Sequence, residues 1–185
     1  QPAMTDDTMA RLPTFVAVDF ETANPSPRSA VAMALTRVVG GIVERRMATL
    51  LRPPTRSFSF AKIHGIQVDA VADAPDFGTA WRRAAGMLEG ARFIAAHHAA
   101  FDQGVLDSCC RHAGLATPRL RFLCTVALAR AVWSIVPTKL PDVCRRLGIA
   151  LQHHDAASDA DACAAIVCAA WATMRGQGWI RTFAR

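Results

Sequence analysis

Two carboxylates that flank an aromatic at the end of a short apolar run, Phe15-Val16-Ala17-Val18-Asp19-Phe20-Glu21, restrict this chain more than any other feature. The β-branched and aromatic residues predict a buried strand. The strand period of two puts Asp19 and Glu21 on one face and turns Phe20 to the other. Like charges side by side near a core are unfavourable unless a cation holds them together. Alone, the segment also reads as an exposed strand end.

The rest of the chain predicts a layered α/β architecture. Asn24-Pro25-Ser26-Pro27 is a turn cluster. Two extended runs, Ser29–Val39 and Ile42–Leu51, flank Gly40-Gly41, the spacing of a hairpin with a two-residue turn. A loop carrying Ile63-His64-Gly65-Ile66 precedes a helical pattern from Thr79 to Leu88. Phe93–Ala96 predicts a second buried strand, followed by a helix over Ala99–Ala113 and a short strand over Leu120–Cys124. Helices are then expected through Trp133, over Lys139–Leu147 and over Ser158–Met174. The last carries an apolar stripe of Ala160, Cys163, Ala164, Val167, Cys168 and Trp171. Residues 1–12 read as a tail and 13–185 as one domain, without internal repeats.

Composition removes several classes. An apolar fraction of 52% is too high for a disordered chain. The six Cys form no CxxC pair, which argues against a zinc knuckle or redox motif and for reduced thiols in the core. The apolar stretch Ala162–Met174 is shorter than the ~18–20 residues of a membrane helix, and the polar start lacks an export signal. No membrane association and a cytoplasmic location are therefore expected. Gln1-Pro2-Ala3 read as residues added before a native Met4. The stretch beyond the last helix is too short for a polymerase tether to be argued, and Trp179-Ile180 is expected to pack on a neighbour. The net charge of +6 comes from 21 basic residues, all Arg except Lys62 and Lys139. It suits a polyanion without establishing one.

Two further segments join the first. Phe101-Asp102 follows Ala95-Ala96-His97-His98, so Asp102 falls in the first turn of a helix leaving a buried strand. Ligands collect there in open α/β sheets. His153-His154-Asp155 leads into Ser158-Asp159-Ala160-Asp161, with His154 five residues before Asp159. Ser158 or Asp155 is positioned to cap that helix. Singly, these read as a helix-start Asp and a solvated acidic turn. Together, four carboxylates and a His make a hard-oxygen site for two Mg²⁺ or Mn²⁺ ions. Paired ions of this kind serve in-line phosphoryl displacement.

On these motifs the chain resembles the DEDDh 3′–5′ exonucleases, the family of the proofreading epsilon subunit of bacterial DNA polymerase III. Asp19-Phe20-Glu21-Thr22 matches the family's Asp-x-Glu-Thr strand end, and His97-His98-Ala99-Ala100-Phe101-Asp102 its strand-to-helix junction. His154 and Asp159 match its third motif. Ile63–Ile66, Lys139-Leu140 and Leu147-Gly148-Ile149 are similar to intervening family segments. His98 stands where the family usually has Asn, and Cys124 where an Asp commonly precedes Thr125.

The resemblance implies a ribonuclease H-like fold, a five-stranded mixed sheet with helices on both faces. It implies that Asp19, Glu21, Asp102 and Asp159 hold two divalent ions and that His154 is the general base. Main-chain groups of Phe20 and Thr22, with His64, His98 and Phe101, would contact the 3′-terminal nucleotide. The expected partner is nucleic acid with a free 3′ end, single-stranded DNA in the first instance, with a DNA polymerase as a possible second partner. The product would be a nucleoside 5′-monophosphate. His97 and His153 are assigned to packing or support, and Asp155 and Asp161 to solvated positions. The alternatives are an exoribonuclease of the same superfamily and a non-catalytic polymerase-binding module. A His-Asp phosphohydrolase, suggested by His154-Asp155, conflicts with the three opening strands.

Overall fold

The computed structural model describes residues 11–174. Its frame is a five-stranded mixed sheet of β1 (Phe15–Thr22), β2 (Ala30–Val39), β3 (Ile42–Leu50), β4 (Phe93–Ala96) and β5 (Arg121–Cys124), in the order β3-β2-β1-β4-β5. The first three strands pair antiparallel, and β1-β4-β5 pair in parallel. Gly40 and Gly41 have φ of 59° and 89°, the two left-handed residues that a tight hairpin of matching twist requires.

The period of two along β1 divides the core between the two faces. Phe15 and Ala17 pack with Phe93, Ala95 and Leu123 beneath α4 (Thr125–Trp133), α5 (Leu140–Leu147) and α6 (Ala156–Met174). Val16, Val18 and Phe20 pack with Met33, Leu35 and Ile94 on the other face, under α2 (Phe77–Ala84) and α3 (Ala99–His112). A short α1 (Ala61–His64) lies in the loop after β3. The same alternation carries Asp19 and Glu21 to the α6 face.

Small residues let α6 approach that face. Asp19 lies opposite Ala34 and Glu21 opposite Ala32 on β2. Ala32 and Ala34 pack against Ala156 and Ala160 of α6. Within the expected stripe, Ala160, Cys163, Ala164 and Val167 are buried, whereas Cys168 and Trp171 are half-buried.

Most differences from the sequence reading lie at element ends. The helix expected from Thr79 begins at Phe77, because Asp76 accepts the Thr79 N–H at 2.7 Å. It stops at Ala84 and tightens into a 3₁₀ turn over Ala85–Leu88, where Gly86 disfavours a further α turn. The last helix starts at Ala156 rather than Ser158. Asp155 caps it by accepting the Ser158 N–H at 2.9 Å, and the Ser158 hydroxyl accepts from Gln152 N–H. Asp161 is a correction. Instead of facing water alone, it accepts the Thr36 hydroxyl at 2.6 Å and Arg46 Nε at 2.8 Å, tying α6 to β2 and β3.

Leu12, assigned to the tail, is buried with the α6-side core. Trp179-Ile180 lies outside the described residues. The six thiols are free, and burial pushes those of Cys109, Cys110 and Cys144 up to about 11, which makes them poor nucleophiles. No described helix is long and apolar enough to cross a membrane.

Replacing Ala160 by Leu is expected to cost about 1–3 kcal/mol by overpacking the contact with Ala32 and Ala34. Urea denaturation measures that loss. Because Asp159 moves with the helix, thermal stabilisation by Mn²⁺ is expected to weaken in the same variant.

Candidate active site

The predicted carboxylates approach one another at the carboxyl ends of β1 and β4. Asp19, Glu21 and Asp159 form a group whose potential ligand atoms all lie within 4.8 Å of one another. Asp159 sits in the first turn of α6 and is 3% exposed. Its Oδ2 accepts from His153 Nδ1 at 3.1 Å and from the His154 backbone N–H at 3.2 Å. Its Oδ1 is buried without a hydrogen-bond partner. Asp102, in the first turn of α3, stands slightly apart. Its Oδ1 accepts the Phe20 N–H at 3.1 Å across the end of β1, and it is not among the three converging ligands.

Burial and mutual repulsion act in the same direction here. Burial first, then Asp102, Asp159 and Glu21, raise the Asp19 carboxyl well above its ordinary value. Glu21 is raised from 4.5 to about 7, chiefly by burial and then by Asp159 and Asp155. Asp102 and Asp159 are raised by burial, despite the hydrogen bonds that oppose it. An all-oxygen set, mutually repelling and with one orphaned oxygen, fits hard divalent cations such as Mg²⁺ or Mn²⁺.

Asp19, Glu21 and Asp159 line a cleft of about 320 Å³ together with His97, His98, Phe101, Lys139, Leu140, His153 and His154. His154 adopts a left-handed backbone with φ of 68°, and its ring stacks on His153 at 3.8 Å between centroids. Its ring nitrogens have no hydrogen-bond partner among the described residues. Burial and the neighbouring His153 lower its pKa, which keeps the imidazole neutral and able to accept a proton.

His97 behaves differently. Nε2 bonds to the Thr138 carbonyl at 3.0 Å and Nδ1 to the Thr125 hydroxyl at 2.8 Å. Burial lowers its pKa to about 4, so it bridges these elements as a neutral ring.

Phe20, Thr22 and His64, three of the expected substrate contacts, are not among the residues that line the cleft. The Phe20 ring lies in the core on the opposite face, and its N–H is engaged by Asp102. Thr22 is buried, and its carbonyl is bonded to His64 Nε2 at 3.1 Å. One main-chain group of each residue thus serves the frame. His64 uses its other nitrogen to accept from Ile66 N–H, which leaves only its ring face. It borders an adjoining groove that shares His154 with the cleft.

His98 and Phe101 do face the cleft, with Phe101 49% exposed. Lys139, Leu140 and His153 are cleft residues that were read only as segment matches or packing. Their signal was adjacency to motifs, which does not reveal side-chain direction.

The sequence profile of the exonuclease family (RNase_T) matches residues 16–167, so all of these groups fall within the match. The chain belongs to the RNase_T exonuclease family. It is 29% identical over 154 residues to a PolC-type DNA polymerase III of Bacillus cereus, covering 80% of this chain and 11% of that protein. It is 30% identical over 138 residues to a putative bifunctional exonuclease/endonuclease of Mycobacterium tuberculosis, covering 70% and 21%. The chain thus spans only a small part of either relative's length.

Its fold is shared with Exonuclease X in complex with 5′ overhanging duplex DNA (TM-score 0.69, 23% identity, 92% of this chain and 96% of that one). It is also shared with the nuclease domain of 3′hExo, a DEDDh family member bound to rAMP (TM-score 0.74, 16% identity, 88% and 94%).

The two departures from the DEDDh pattern now have structural readings. His98 has φ of 61°, a left-handed conformation that Asn and His tolerate better than most residues. Cys124 precedes α4 without any side-chain cap, where an Asp carboxylate would accept from the helix's first N–H groups.

Without metal, a carboxyl whose folded pKa is raised favours the native state most when protonated. For Glu21 that stability is complete below about 4.5 and is lost as pH rises through about 7. The EDTA-treated protein is therefore expected to melt at lower temperature as pH rises through this window, with Mn²⁺ reversing the loss. Asp19→Asn is expected to raise the melting temperature of the EDTA-treated protein at pH 8, by about 2–4 °C per kcal/mol of repulsion removed. Calorimetry across pH checks both.

Proposed function

We propose that this domain is a metal-dependent 3′–5′ exonuclease that hydrolyses the 3′-terminal phosphodiester of DNA and releases a nucleoside 5′-monophosphate. The observation that supports it most is the convergence of Asp19, Glu21 and Asp159 at an open cleft flanked by His154, whose ring nitrogens make no hydrogen bond among the described residues. Two divalent ions held by these carboxylates and Asp102 would neutralise charge on the attacking and leaving oxygens of an in-line displacement.

The protein's own groups supply the rest. His154 takes a proton from the attacking water, a role open to a neutral imidazole with free ring nitrogens. His153 donates to Asp159 Oδ2 and fixes the direction of that carboxylate. Phe101 offers a half-exposed ring for the terminal base, an interaction worth about 1–3 kcal/mol and tolerant of base identity. His98 and Lys139 place donors at the cleft, where a phosphate carries its charge. The Asp102 bond to Phe20 N–H holds the α3 start against the end of β1, so Phe101 and the carboxylates keep one geometry. Similarity to part of a PolC-type DNA polymerase III supports a polymerase as the partner that presents the single-stranded 3′ end.

The test is a denaturing gel of 5′-labelled single-stranded DNA and matching RNA with Mn²⁺, Mg²⁺ or EDTA. A metal-dependent ladder shortening from the 3′ end is expected, faster on DNA and absent with Asp19→Ala. His154→Ala is expected to lower kcat by about 10²–10⁴ while metal-induced thermal stabilisation persists. Preference for RNA would reassign the substrate. Absence of cleavage by folded, metal-loaded protein would leave a binding module.

A further inference from the structure

A second cleft, of about 480 Å³, opens on the α2–α3 side of the sheet. Three segments distant in sequence each bring an arginine to it: Arg28 from the β1–β2 loop, Arg52 from the chain after β3, and Arg82 from α2. His112 of α3 adds a fourth basic side chain. Ala30 lines the same cleft and pairs with Thr22, the residue after Glu21. The cleft therefore sits at the catalytic end of the sheet, on the opposite face of β1 from the carboxylates.

Charge is unbalanced there. Arg28 and Arg82 make no hydrogen bond or ion pair with another described residue. Arg52 reaches only the Ala72 carbonyl, at 3.5 Å. Asp76 is the one acid of the cleft; its Oδ1 accepts the Thr79 N–H and its charge is felt by Arg52 and Arg82, which leaves three guanidinium groups against a single carboxylate. Elsewhere Arg37 pairs with Glu44, Arg46 with Asp161 and Arg145 with Asp142, whereas Arg45, Arg56, Arg83 and Arg146 also form no ion pair among the described residues; what sets this cleft apart is the convergence of three arginines on one concavity. A Cβ at Gly78 would stand 3.2 Å from the Ala113 Cβ, so the glycine lets α2 approach the end of α3 across the cleft. Concave walls focus the field of unpaired cations, and guanidinium forks match phosphate oxygens in pairs.

We propose that the Arg28–Arg52–Arg82 cleft holds phosphates of the nucleic-acid backbone upstream of the nucleotide being removed. The inference rests on the nuclease reading and extends it. A strand whose 3′ end lies among the carboxylates crosses the β1–β2 loop to reach these arginines. The catalytic cleft then handles the terminal nucleotide, and this cleft supplies length-dependent, sequence-independent affinity.

The experiment compares Arg28→Ala/Arg82→Ala with Arg145→Ala/Arg146→Ala, which removes the same charge from α5. Binding of a long fluorescein-labelled single strand is followed by anisotropy in EDTA over a salt series, and cleavage of a dinucleotide is measured separately with Mn²⁺. For the first pair, the slope of log K against log salt is expected to become shallower by about 1.4, with affinity down on the order of tenfold. Dinucleotide cleavage is expected to stay unchanged.

An equal effect of the α5 pair, no effect of the first pair, or no strand binding by the unaltered protein would overturn the proposal. Failure of the nuclease reading shows separately, as strand binding without cleavage of either substrate.

Discussion

Repulsion among Asp19, Glu21, Asp102 and Asp159 is the constraint around which this domain is arranged. Four carboxyl groups are buried together at one end of a sheet, and their raised pKa values record first that burial and then, for Asp19, Glu21 and Asp102, repulsion by their neighbours. The frame opposes it with contacts that do not give way. β1 is central and hydrogen-bonded on both sides, while α6 is fixed by the Ala32–Ala34 against Ala156–Ala160 contact and by Asp161 with Thr36 and Arg46. Large side chains at those alanine positions would hold the helix, and Asp159 with it, farther from the sheet.

The hydrogen bonds near the site divide into those that position and those left available. Asp102 is tied to Phe20, His97 to Thr125 and Thr138, and His64 to Thr22 and Ile66. Each bond satisfies a polar group that burial would otherwise penalise. Among the described residues, Asp159 Oδ1 and the ring nitrogens of His154 are left without a hydrogen bond, and Phe101 and His98 face the cleft. A rigid support with a few unsatisfied groups is what pre-organised electrostatic chemistry requires.

The two clefts share a sheet end but differ in charge. One gathers carboxylates against α6, and the other gathers arginines against α2 and α3. Because β1 alternates its side chains, a single strand separates the two environments. The apolar residues Val16, Val18 and Phe20 on one face and Phe15 and Ala17 on the other keep them apart. A polyanion and its cations can thus be held by one small fold without the two charge sets cancelling.

Local patterning was enough for the strands, for most helices and for the sharing of a face by Asp19 and Glu21. A period of two and the double glycine at residues 40–41 act through neighbouring residues alone. The motif residues were legible for the same reason, since each lies at a strand end or helix start that local signals mark. Tertiary structure decided which polar groups remained free. The sequence does not show that Asp102 takes the Phe20 N–H and His64 the Thr22 carbonyl, because these partners come from residues far along the chain. His153 and His154 are adjacent in sequence, yet only the turn into α6 bonds one ring to Asp159 and leaves the other open. Arg28, Arg52 and Arg82 lie too far apart for any local pattern to join them. Their convergence depends on the packing of α2 and α3 beside the β1–β2 loop.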